Sequence, residues 1–87
     1  METNIILKSE SGLHVRPVAV FVKAVVGFPC KVQIRHEGQT VNAKSVMTIM
    51  GLGLEKGAEI TLITEGADEA VALESLTRLL NTELADH

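Results

Sequence analysis

The sequence has no tryptophan and no tyrosine, and its 87 residues include only two phenylalanines, two prolines and a single cysteine. Each shortage excludes something. With Cys30 alone, neither an internal disulfide nor a cysteine-based zinc site can be assembled. With so few aromatics, the 46% apolar content has to pack as Val, Ile, Leu, Ala and Met, a composition that is globular rather than disordered. Lys and Arg number 8 against 11 Asp and Glu, the formal net charge is −3, and the cations stand singly, so the basic footprint of a nucleic-acid binder is missing. No apolar run approaches the roughly 20 residues that cross a bilayer, and no basic start leads into an apolar core of signal-peptide type. The expectation is one domain over 1–87, cytoplasmic, without nucleic-acid or membrane partners, metal or cofactor. A chain of this length buries only about 60–65% of its surface on folding.

Along the chain, periodicity predicts the elements. Asn4 to Lys8 is a short apolar run ending in a Ser-Glu-Ser-Gly cluster, a strand and a turn. Pro17 then marks a helix start. Val18, Phe21, Val22, Val25 and Val26 follow at the spacing of one buried face, and Gly27-Phe28-Pro29 stops the helix. From Cys30 to His36 the residues alternate, with Val32, Ile34 and His36 on one side. Glu37-Gly38 reads as a tight turn and Gln39 to Asn42 as the returning strand. Glu59 to Thr64 is a further strand. Acidic residues at Asp68 and Glu69 open a last helix whose stripe is Leu73, Leu76, Leu79, Leu80 and Leu84. The order β-α-β-β-α-β-α predicts a two-layer α+β domain with three helices on one face of a four-stranded sheet.

Two stretches carry possible chemistry. In Ser11-Gly12-Leu13-His14-Val15-Arg16-Pro17, a histidine and an arginine stand at a helix entrance, where unpaired N–H groups and the positive end of the helix dipole favour an anion. An imidazole there acts as nucleophile or base near neutral pH, and a guanidinium clamps phosphate oxygens. The plain alternative is an inert surface histidine. His36, at a strand end with no second metal-type residue at a ligand spacing, reads as structural.

The second stretch is Asn42-Ala43-Lys44-Ser45-Val46-Met47-Thr48-Ile49-Met50-Gly51-Leu52-Gly53. Ser45 is a natural N-cap, and Gly51 and Gly53 end the helix after barely two turns. Ile49 can face the core. So short a helix cannot bury Val46, Met47, Met50 and Leu52 as well, which leaves two readings, a packed turn of core or an exposed, adaptable Met-rich docking patch.

Gly12-Leu13-His14-Val15-Arg16-Pro17 resembles the active-centre signature of HPr, the histidine-containing phosphocarrier family of the bacterial phosphoenolpyruvate:sugar phosphotransferase system. Asn42 to Met47, continuing to Gly51-Leu52-Gly53, resembles the second signature of that family, around its regulatory serine. The likeness extends over the chain, including Lys56-Gly57-Ala58-Glu59-Ile60. The resemblance implies an open-faced β-sandwich with an antiparallel sheet. It implies a carrier, not an enzyme, whose His14 takes a phosphoryl group on Nδ1 from phosphorylated enzyme I and passes it to enzyme IIA, with Arg16 neutralising the phosphoryl oxygens. It also implies that Ser45 is the target of an HPr kinase/phosphorylase, a role compatible with capping. A phosphate at a helix N-terminus stabilises that helix while placing charge beside Met47 and Met50, so the expected effect is on docking. The family's partner surface favours exposure of Val46, Met47 and Met50, and a monomer is expected. Val15 and Val18 stand where the family usually has alanine, which bears on partner preference and transfer rate.

Other readings stay open beside this one. The nitrogen-regulatory branch uses the same chemistry with other partners. A regulatory module would act through phosphorylated Ser45 on a catabolite control transcription factor, although relatives specialised that way lack the active histidine. A small-molecule-binding module with an incidental His14 would need a ligand pocket that the sequence does not suggest.

Overall fold

The computed structural model describes residues 1–7, 15–55 and 57–81, with residues 15–17 described by their backbone. Among these the order is β1 (Glu2–Ile6), α1 (Val15–Val26), β2 (Lys31–His36), β3 (Gln39–Asn42), α2 (Val46–Met50), β4 (Glu59–Glu65) and α3 (Glu69–Asn81), the expected β-α-β-β-α-β-α. All strand pairings are antiparallel and the sheet order is β1-β4-β2-β3. β4 is thus a central strand. Its alternation fits that place, with Ile60, Leu62 and Thr64 all buried.

The register lines up one apolar face. Ile5 stands opposite Ile60, Val32 opposite Thr64, and Ile34 opposite both Leu62 and Val41. Because side chains alternate along a strand, the other face carries Glu2, Asn4, Thr61 and Arg35. There Arg35 Nη2 donates to Glu2 Oε2 at 2.9 Å, reaching over the intervening β4, and Thr61 Oγ1 donates to Asn4 Oδ1 at 2.9 Å. One face is apolar and covered by helices; the other is open and mostly polar, with Ile6 57% exposed on it. This is the two-layer, open-faced sandwich.

α1 covers the sheet with Val18, Phe21 and Val25, all fully buried, and packs against both α2 and α3. Val26 departs from the expected stripe and is 58% exposed. At about 100° per residue it lies roughly 80° round from Val18, at the edge of the face. α3 packs on β4 and β1 through Ala72, Leu76 and Leu80, an i, i+4 row, with Leu73 and Leu79 half-buried beside it. The leucine pattern locates that face but misses Ala72, whose small side chain allows close approach. Leu84 lies outside the described residues.

Several strand ends differ from expectation, β2 among them, which starts at Lys31 rather than Cys30. β1 spans Glu2–Ile6 rather than Asn4 to Lys8, and Lys8 lies outside the described residues. Polar Glu2 belongs to the strand because it sits on its open face, where apolar character is no guide. β4 continues to Glu65, and Thr64, an apparently polar end, is interior. Its Oγ1 donates to the Glu69 carbonyl at 2.8 Å, so the buried hydroxyl is satisfied and β4 is tied to the start of α3.

Candidate functional site

α1 begins at Val15, directly after His14 in the chain, so Val15, Arg16 and Pro17 belong to its first turn. This corrects the expectation that the helix starts at Pro17. The first four N–H groups of a helix have no intrahelical acceptor, so a proline in third place breaks no hydrogen bond there. Arg16 is therefore within the helix start rather than ahead of it. His14 itself lies outside the described residues. Val18 also differs from its expected role. It is fully buried, so the extra bulk relative to alanine is taken up by the core and does not reach a partner.

The second stretch is described in full. Asn42 Oδ1 accepts the backbone N–H of Lys44 at 2.8 Å, turning the chain out of β3. Ser45 follows in extended conformation, φ −123° and ψ 118°, and its Oγ accepts the backbone N–H of Thr48 at 3.3 Å. Its carbonyl accepts the N–H of Ile49 at 3.2 Å. Ser45 is thus the N-cap of α2, as its place in the sequence predicts. At the other end, Gly51 N–H donates to the Met47 carbonyl, Leu52 N–H to that of Ile49 and Gly53 N–H to that of Met50, at 3.0 to 3.2 Å. Gly53, at φ +64°, supplies the left-handed residue that leads the chain away.

The five residues of α2 divide by position. Ile49 is buried in the core, whereas Met47, nearly opposite it on the helix, is 81% exposed. Val46, Met50 and Leu52 are half-buried and pack against the core. Of Val46, Met47 and Met50, all expected to be exposed, Met47 is the one that is largely so, and Val46 and Met50 are only partly exposed. The other two are partly drawn in because α2 packs on α1 and β3. On α1, Val20 is 44% exposed. It is an exposed apolar residue that helical periodicity passes over, and its signal was a valine lying off the buried stripe.

His36 keeps a structural position. Its side chain is 15% exposed and its Nδ1 lies 3.2 Å from the Glu59 carbonyl. Nε2 lies 3.9 Å from Glu37 Oε1. Among the described residues no group of three or more His, Cys, Asp and Glu side chains is arranged to hold a metal ion. None of the described helices is long and apolar enough to cross a membrane.

Comparison with known proteins bears on both stretches at once. The family model described as PTS HPr component phosphorylation site matches residues 1–82. HPr-like protein Crh of Halalkalibacterium halodurans is 41% identical over 83 residues, covering 95% of this chain and 99% of that protein. The crystal structure of HPr from Thermoanaerobacter tengcongensis superposes with a TM-score of 0.94 at 36% identity, over 100% of this chain and 98% of that one. Crh of Bacillus subtilis, crystallised as a dimer with a swapped domain, superposes with a TM-score of 0.78 at 39% identity, over 92% of each chain. With the βαββαβα sandwich, the capped α2 and these likenesses in agreement, the chain belongs to the HPr family of the phosphotransferase system, whose members are phosphocarriers and HPr-like regulatory proteins.

Proposed function

We propose that residues 1–87 work as one HPr domain, a cytoplasmic phosphocarrier that takes a phosphoryl group from phosphorylated enzyme I on His14 Nδ1 and delivers it to enzyme IIA. The observation that carries this reading is the family match over residues 1–82 in a chain whose His14 immediately precedes the first turn of a 12-residue helix containing Arg16. A phosphorus–nitrogen bond retains a high transfer potential, so a carrier has to hold the group without over-stabilising it. A helix start with one arginine supplies charge compensation while leaving the group open to its partners. Phosphoryl transfer is mostly positioning and charge stabilisation, so the remaining groups come from the partner's active site. The protein is then a substrate of its partners, and neither a cofactor nor a metal enters.

Docking uses Met47 together with the half-buried Val46 and Met50. Regulation falls on Ser45 through HPr kinase/phosphorylase, with a catabolite control transcription factor as a further partner of the phosphorylated form. A mainly regulatory role is the second reading, favoured by the 41% identity to an HPr-like protein Crh. The presence of His14 argues for carriage beside it. A monomer is the working form of the carrier, and the swapped dimer of a relative makes the oligomeric state worth measuring.

Onward transfer tests the proposal. The chain is labelled with phosphoenolpyruvate and enzyme I, then mixed separately with a sugar-type and a nitrogen-type enzyme IIA. Loss of label to the sugar-type protein is expected. Loss only to the nitrogen-type protein would move the chain to that branch, and retention against both would favour the regulatory reading.

A further inference from the structure

We infer that Met47 is a site of reversible oxidation that weakens docking at α2 without disturbing the fold, an inference resting on the docking role proposed above. Met47 is 81% exposed, whereas Ile49 on the far side of the same short helix is 1% exposed and Met50 is half-buried against the core. Its thioether is therefore open to small oxidants, while its backbone stays fixed, the carbonyl accepting the Gly51 N–H at 3.0 Å. The oxidant is a hydroperoxide. Its terminal oxygen transfers to the Met47 sulfur, so that an S–O bond forms as the O–O bond breaks. The sulfur loses two electrons, the peroxide gains them, and the departing oxygen takes a proton and leaves as water or an alcohol. Two thiols acting through a sulfoxide reductase reverse the step, ending as a disulfide and water.

The consequence follows from where the side chain lies. An apolar, adaptable contact becomes a polar sulfoxide that a partner's apolar surface has to desolvate. Because Met47 is not among the residues packed on the core, the fold does not register the change. Oxidation of Met50 would disturb packing as well.

The full chain is treated with limiting hydrogen peroxide and freed of it. Sites are located by peptide mass, and the chain is then given enzyme I and phosphoenolpyruvate. Met47 should gain one oxygen atom well before Met50, with the unfolding midpoint unchanged. The rate of phosphorylation should fall roughly 5- to 150-fold, the range for burying one unsatisfied polar group, and recover with sulfoxide reductase and a dithiol. Met47→Leu, compared with its own untreated rate, should lose the sensitivity. Earlier oxidation of Met50, a lowered unfolding midpoint, an unchanged rate after oxidation of Met47, or sensitivity persisting in Met47→Leu would each overturn the inference. A chain that takes no phosphoryl group before treatment would instead remove the carrier reading, and the docking half of this inference with it.

Discussion

The backbone N–H of Thr48 donates to Ser45 Oγ at 3.3 Å, so the residue proposed for regulation is also the one that starts α2. Removing the hydroxyl leaves that N–H without its partner. Ser45→Ala should lower stability by about 1 kcal/mol, a fall in melting temperature of roughly 4–8 °C for a domain of this size. Ser45→Asp, which keeps an acceptor and adds negative charge at the helix start, should stay near the wild-type value. Thermal and urea denaturation of the three proteins measure this. An unchanged Ser45→Ala would show that the cap contributes nothing, and equal loss in both variants would show that the loss does not come from the missing acceptor.

Burial predicts opposite outcomes for two apolar residues on different helices. Leu76 is fully buried on α3 and Met47 is 81% exposed on α2. Leu76→Ala should cost about 2–5 kcal/mol, while Met47→Ala should remain within about 0.5 kcal/mol of wild type. Urea unfolding of both variants checks the contrast, and a large loss at Met47 would mean that its side chain packs in solution.

The hairpin between β2 and β3 turns through Glu37 at φ 50° and Gly38 at φ 81°. Two consecutive left-handed residues suit a type I′ turn, for which Asn-Gly is the favoured pair. Glutamate in that conformation is strained by roughly 1–2 kcal/mol, and a Cβ added at Gly38 would meet nothing within 4 Å. Glu37→Asn should therefore stabilise the protein by up to about 1 kcal/mol, and Gly38→Ala should destabilise it by about 1 kcal/mol through backbone strain alone. Denaturation midpoints moving the opposite way would contradict the turn geometry.

Much of this architecture is legible in the sequence because its apolar spacing is clean. The stripe Val18, Phe21 and Val25, the alternation of Val32 with Ile34, and the pair Ile60 and Leu62 each place an element and its buried face. Legibility fails where a residue's character and its place disagree. Thr64 is polar yet interior, satisfied by the Glu69 carbonyl, and no local pattern announces a partner supplied by the next helix. Val26 is apolar yet exposed, because it ends α1 at the edge of the face. Of the candidate site, Ser45 was readable as a cap from local rules. The half-burial of Val46 and Met50 was not, since it depends on α1 and β3 packing beside α2. Pro17 marks the helix start only to within a turn, for the backbone tolerates proline anywhere in the first turn.

The central claim is that His14 carries the phosphoryl group. Its most direct measurement is the lability and location of label after incubation with phosphoenolpyruvate and enzyme I. The account predicts an acid-labile, base-stable phosphate in the wild-type protein and none in His14→Ala, while Ser45→Ala labels normally. Label that survives acid, or that persists in His14→Ala, would contradict it.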